Sequence, residues 1–241
     1  MKICILYIAT GRYIAYLDEF YETAMRYFLP DCERHVILFS DSTDIPPREH
    51  MTVVPTRQQP WPDTTLLRYH LFLEHAELWR GYDYVFFINA NYRFYHRIGR
   101  DILPGAEHGG LVAGVHRVSV KRKPDRFTYE RRPESTAYIP YGQGCHYFAG
   151  GFNGGTAAAF FQMAETLKEQ IDTDRANGIT AIWHDESHLN RFLLGRPVKV
   201  LPPTYVWPEE AVHWYNRWRI LAGPRDKRRM GGHAWLRGQD G

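Results

Sequence analysis

Asp83-Tyr84-Val85-Phe86-Phe87-Ile88-Asn89-Ala90-Asn91 is an apolar run of β-branched and aromatic residues that stops on two amides spaced i, i+2. Its length and composition predict a buried strand. The end of the run reads two ways. Asn side chains bond their own backbone and tolerate left-handed conformations, so Asn-x-Asn at a strand end is usually a turn. Sites that hold a nucleotide sugar often place two carboxylates at this spacing, to fix a divalent metal against the diphosphate. Asn offers only neutral oxygens, so the same geometry without charge points to diphosphate chemistry run without a metal.

Working outward, residues 3–9 form a second apolar run, and Thr10-Gly11-Arg12 a tight turn after it. Helical spacing of Leu17, Phe20, Tyr21, Ala24 and Phe28 predicts a helix over 13–29, stopped by Pro30. A strand over 35–40, an extended proline-marked segment, and a helix opened by Asp63-Thr64-Thr65 and running to about 79 lead into the 83–91 run. This β-α-β-α-β order predicts a mainly parallel α/β sheet whose ligand sits at the carboxyl ends of its strands. Thr10-Gly11 and Asn89-Asn91 both lie at such ends.

Further along, 111–116 reads as a strand, and 118–141 as a long functional loop rich in charge and proline. The glycine-rich 147–155 run reads as backbone brought close to something, with no regular element assigned to it. Helices over 156–171 and from Asp185, with a strand over 198–201, complete the regular elements. Beyond 218 the chain is basic and glycine-rich, with no regular period.

The 241 residues, 44% hydrophobic, suffice for one domain. A formal charge of +3 gives no global field for nucleic acid. The three cysteines, Cys4, Cys32 and Cys145, lack metal or disulfide spacing and indicate a reducing, cytoplasmic setting. The apolar run after Lys2 is too short for a membrane span, and no longer one exists; only peripheral membrane contact is left open.

Trp183-His184-Asp185-Glu186-Ser187-His188 is the second signal. Two acids suit the electropositive start of a helix. An indole beside two carboxylates equally suits a sugar, the flat ring stacking on a pyranose while the acids take its hydroxyls.

The segments Phe127-Thr128-Tyr129-Glu130-Arg131-Arg132-Pro133, Tyr138-Ile139-Pro140, Ala149-Gly150-Gly151-Phe152-Asn153-Gly154-Gly155 and Trp183 to Asn190 resemble glycosyltransferase family 6, the family of the ABO blood-group and α-1,3-galactosyl transferases and shorter bacterial homologues. The resemblance implies a GT-A fold, a Rossmann-like mixed sheet flanked by helices, over 1–241, with 222–241 a mobile tail closing over the donor. It implies retaining transfer of Gal or GalNAc from a UDP-sugar to the 3-hydroxyl of a galactose, often 2-fucosylated. Matched position by position, Ile8, Ala9, Thr10 and Tyr13 correspond to the uridine segment and Arg68 to a donor contact. His116, Thr128 and Trp183 correspond to acceptor contacts, Asp185 to a donor-sugar contact, and Glu186 to the carboxylate at the reacting face between donor and acceptor.

The departure is at Asn89 and Asn91, where the vertebrate enzymes carry Asp-x-Asp and bind manganese; bacterial members carry Asn-x-Asn and work without metal. No metal or other cofactor is therefore expected. The tail supplies charge in place of the ion, with Lys227 and Arg237 matching diphosphate contacts; the plain alternative is a solvated basic terminus. Ala149-Gly150-Gly151 falls where the family separates Gal from GalNAc, and two glycines leave room for an N-acetyl group. The expected activity is metal-independent α-1,3-N-acetylgalactosaminyl transfer to a fucosylated galactose. UDP-Gal as donor, or a catalytically impaired glycan-binding protein, are the alternatives.

Overall fold

A computed structural model describes residues 1–213 and 217–238. The predicted strands form: β1 (Lys2–Ile8), β2 (Glu33–Ser40) and β4 (Tyr84–Ile88), with β3 (Met51–Pro55), β5 (Tyr92–Phe94), β6 (Leu111–Val115), β7 (Phe148–Thr156), β8 (Lys199–Leu201) and β9 (Ala222–Pro224). The helices are α1 (Leu17–Tyr27), α2 (Asp63–Leu66), α3 (Arg68–Glu74), α4 (Val118–Lys121), α5 (Ala157–Ala176), α6 (Asp185–Leu193) and α7 (Gly232–Leu236).

Seven strands make one sheet in the order β3-β2-β1-β4-β7-β6-β8. Neighbours are parallel except where β7 runs antiparallel between β4 and β6. Alternation along β1 separates the two faces: Ile3, Ile5 and Tyr7 pack on the α1 side, Cys4 and Leu6 on the side of α3 and α5. Phe20 of α1 stacks on Tyr7 with ring centroids 4.0 Å apart. Phe160, Met163, Ala164 and Leu167 of α5 bury the opposite face, the three larger side chains worth about 1.5–3 kcal/mol each when fully covered.

Three sequence readings need correction. The extended segment before residue 63 contains β3, which pairs with β2 from Val36 to Ser40; its proline closes the edge strand, where no ladder N–H is needed. The glycine-rich run, left without a regular element, is the strand β7. A Cβ on Gly154 would lie 2.6 Å from the Phe86 ring and from the Val85 carbonyl, so part of the glycine content serves sheet packing. The tail after 218, read as irregular, is built: β9 pairs with β5, a 3₁₀ turn spans Lys227–Met230, and α7 follows. Positions 239–241 of the expected tail lie outside the described residues. Among the described residues no helix is long and apolar enough to cross a membrane.

Candidate functional site

The carboxyl ends of β1 and β4 open on one cavity of about 270 Å³. Ile8, Thr10, Tyr13, Arg68, Asn89, Asn91, Trp183, Lys227 and Arg237 line it, so nine of the residues singled out from the sequence converge there. Gly11, in the left-handed region at φ +55, turns the chain from β1 into the segment carrying Tyr13. Ala9 does not face the cavity. It is buried in the core, with its N–H donating to the Phe39 carbonyl and its own carbonyl accepting from Ser40.

Arg68 is not the exposed helix charge that its sequence setting allowed: it is buried, with its guanidinium 4.4 Å from the centre of the Phe87 ring. Its Nε donates to the Thr65 carbonyl at 3.1 Å and stands 3.0 Å from Asp185 Oδ2. Because that proton points at Thr65, Asp185 Oδ2 has charge compensation but no aligned donor. Burial raises the Asp185 carboxyl to about 7 against the pull of Arg68.

The two asparagines have separate duties. Asn89 Oδ1 accepts from Arg68 Nη1 at a long 3.4 Å. Asn91 Nδ2 donates to the Arg225 carbonyl at 3.1 Å, tying the strand end to the tail. These residues do not fit the divalent cation of the vertebrate pattern. The oxygens are neutral, and a guanidinium already occupies the approach to Asn89.

The tail is fastened ahead of its two candidate diphosphate contacts. Arg225 pairs with Glu19 and with Glu209, its Nε 2.9 Å from Glu209 Oε2. Lys227 then reaches over Tyr13, with Nζ 5.4 Å from the ring centre. Arg237 lies flat on Trp61 at 3.6 Å. Burial, then the nearby Arg237 and Arg68, lower the Lys227 ammonium to about 8.

Behind the cavity, α6 meets β7. Glu186 Oε2 accepts the Gly150 N–H at 2.7 Å, and Oε1 the Tyr147 hydroxyl at 2.5 Å. Burial raises the Glu186 carboxyl, while these two donors and Arg68 draw it back. Asn190, one turn on, donates to the Phe148 and Glu186 carbonyls and accepts the Phe148 N–H, each at 2.9 Å, so helix and strand hold a fixed register. A Cβ on Gly150 would come 3.0 Å from the Glu186 Cβ, and one on Gly151 2.7 Å from Asn89 Nδ2. The first demand on both glycines is therefore room for this chain's own side chains. Ala149 is packed into the core.

His184, just before the acids, has φ +52 and ψ −128, a conformation rare for a side chain with a Cβ. It is braced edge-on by Trp61, centroids 4.8 Å apart, and by Thr65 Oγ1 at 3.3 Å from Nδ1. Trp183 stands 47% exposed at the cavity rim. His116 and Thr128 lie apart from the cavity, against Tyr147 on its far side. The buried Glu130 carboxylate accepts the Ile182 N–H, next to Trp183, at 2.8 Å and Arg132 Nη2 at 2.6 Å. Burial pushes that carboxyl up, but these donors outweigh it and hold it at about 2.

The profile of Glycosyltransferase family 6 matches residues 1–227. The chain belongs to glycosyltransferase family 6. Over 231 residues it is 33% identical to the rat protein named histo-blood group ABO system transferase 1, covering 90% of this chain and 65% of that one. It is 30% identical over 219 residues to human globoside alpha-1,3-N-acetylgalactosaminyltransferase 1, covering 87% of this chain and 62% of the human one. It is also 30% identical over 212 residues to the Escherichia coli O-antigen biosynthesis glycosyltransferase WbnI, covering 87% and 89%. The chain thus spans about two thirds of the mammalian relatives. Its sheet is the GT-A-like architecture that family 6 implies.

Several site residues of this family 6 chain were not singled out from the sequence. Trp61, Thr65 and His233 line the cavity, and Tyr147, Asn190 and Arg225 hold its parts in place. Trp61 and Thr65 had a usable signal, lying within one or two helical turns of Arg68. Arg225 had none, because its partners are distant in sequence.

Proposed function

We propose that this family 6 transferase moves N-acetylgalactosamine from UDP-GalNAc to the 3-hydroxyl of a galactose acceptor bearing a 2-linked fucose, with retention and without a metal ion. The observation that carries this reading is the meeting of Arg68, Lys227 and Arg237 on one cavity at the carboxyl ends of β1 and β4. Three cations gathered there call for a ligand of comparable negative charge, and a diphosphate meets that requirement. Charge-assisted hydrogen bonds contribute roughly 1.5–3 kcal/mol each, so two or three match the several kcal/mol a metal gives a leaving diphosphate. Tyr13, beside Lys227, offers the uracil its ring, and the tail closes over the nucleotide. Asp185 Oδ2, lacking an aligned donor, suits a hydroxyl of the transferred sugar.

Glu186 serves at the anomeric carbon. Retention proceeds either through a glycosyl–Glu186 intermediate or by same-face attack with Glu186 stabilising an oxocarbenium-like transition state. The choice of GalNAc is supported by the human relative's name. The glycines of β7 support it less, since Asn89 and Glu186 already claim their space.

The test is UDP release from UDP-GalNAc with 2′-fucosyllactose in excess EDTA. Sustained release supports the reading, and abolition by EDTA overturns the metal-free part. Glycan binding without UDP release leaves a binding protein on a transferase fold, and faster turnover of UDP-Gal makes it a galactosyltransferase. Full activity of Glu186→Ala removes Glu186 from the chemistry.

A further inference from the structure

Residues 117–126 carry Arg117, Lys121, Arg122, Lys123 and Arg126 against a single acid, Asp125. The segment is shaped by an inward anchor. Val118 packs on the cluster of Phe127, Tyr129, Ile139 and Tyr147, which turns Val120 outward at 69% exposure. Tyr141 is likewise 69% exposed, and its turn is joined to the basic one because the Gly142 N–H donates to Asp125 Oδ1 at 2.6 Å. Among the described residues no other large apolar side chain is as exposed as these two. Arg122, Lys123 and Arg126 are exposed as well, and among the described residues none has a carboxylate partner.

We propose that this surface docks on an anionic phospholipid bilayer, with Val120 and Tyr141 entering the interface and Arg122, Lys123 and Arg126 meeting the headgroups. Each signal alone is weak. A few basic side chains attract an anionic surface only within a Debye length, and two apolar tips bury little area. Together they add, because interfacial binding scales with buried apolar area plus attraction to anionic lipid. A nucleic-acid patch would account for the charge but not for Val120 pushed out of its own helix.

The orientation follows from the reading of the acceptor site and rests on it. His116 and Thr128 flank the segment, so docking turns the acceptor side toward the membrane. That geometry suits an acceptor glycan carried on a membrane lipid.

The experiment is co-sedimentation of the full chain with vesicles of phosphatidylcholine alone or with about one third phosphatidylglycerol, at roughly 0.1 M salt. Binding is expected only with phosphatidylglycerol. The double variant Arg122→Glu/Lys123→Glu should bind about tenfold or more weakly, and Val120→Ser a few-fold more weakly at unchanged charge. Three results overturn the proposal: wild-type protein that ignores phosphatidylglycerol, a charge-reversed variant that binds as well as wild type, or a loss that follows charge but not Val120. The last would mark a general polyanion patch. Both variants lie outside the site and should keep UDP release with a soluble acceptor, which reports their folding. Vesicle binding by a wild-type protein that releases no UDP would leave the docking surface standing and remove the transferase reading.

Discussion

Asn91 and Arg225 are bonded in both directions: the Arg225 N–H donates to the Asn91 carbonyl at 2.6 Å, and Asn91 Nδ2 donates to the Arg225 carbonyl at 3.1 Å. The second amide of the strand-end motif is therefore the hinge pin of the basic tail. An ionised carboxylate cannot do this, because the side chain must donate. Asn91→Asp would set a carboxylate against a carbonyl at a buried position, a loss of about 1–3 kcal/mol. The expected result is faster limited proteolysis within 225–238 and roughly five- to hundredfold lower kcat/KM for the UDP-sugar. Manganese should not restore it, since Asn89 stays neutral and faces Arg68. Activity rescued by manganese would mean that the motif is a latent metal site.

Lys227 gives the pH dependence its sign. Its ammonium is lowered to about 8 by burial and by Arg237 and Arg68, so the charge offered to the diphosphate is present below that pH and lost above it. The donor kcat/KM, which reports the free enzyme, should fall above pH about 8 and level off roughly ten- to hundredfold lower, the share of one charge-assisted bond. Stability should move the other way. Between about 8 and the ordinary value of 10.5 the unfolded chain binds a proton that the folded chain has released, so this group's contribution to stability rises with pH. Lys227→Arg should push the activity limb to higher pH. An unchanged limb in that variant would assign the titration to another group.

If Thr128 and Trp183 contact the acceptor as proposed, Glu130 is a positioning residue for that side. It links Arg132, two residues along from itself and four from Thr128, to Ile182, the neighbour of Trp183. Glu130→Gln keeps the shape but confronts one donor with an amide nitrogen, leaving a buried N–H without an acceptor at about 1–3 kcal/mol. The acceptor KM should rise about tenfold, with the donor KM unchanged. Because its carboxyl is held at about 2, the effect should be flat with pH from 5 upward. Equal rises in both KM values would reduce Glu130 to a general structural role.

The sequence made the scaffold legible where periodicity and chemistry agreed. The β1 and β4 runs and the α5 stripe followed from apolar spacing, and the convergence of Thr10 and Asn89 followed from parallel strands ending on one side, whereas Tyr13 and Arg68 were pointed to only by the family resemblance. What escaped was set by distant contacts. What the glycine-rich backbone approaches could not be read, because the reason for Gly154, the Phe86 ring, lies on another strand. The tail looked irregular because β9 is only three residues long and takes its order from β5. The pairing of Arg68 with Asp185 had no local signal, because the two are more than a hundred residues apart.

Trp61 joins the two halves of the site, and its removal should separate them. Arg237 lies 3.6 Å above its ring while His184 meets its edge, so one indole braces both the tail and the φ +52 residue that aims Asp185 and Glu186. A cation–π contact contributes about 0.5–2 kcal/mol, so Trp61→Ala should raise the donor KM roughly two- to thirtyfold. Trp61→Phe should recover much of it, since the ring face remains. If Trp61 and Arg237 act through each other, the double variant with Arg237→Ala should lose less than the sum of the two single losses. Strict additivity would mean that the tail reaches the donor without this brace. A lower kcat in Trp61→Ala at unchanged donor KM would place its main effect at His184 and the acids behind it.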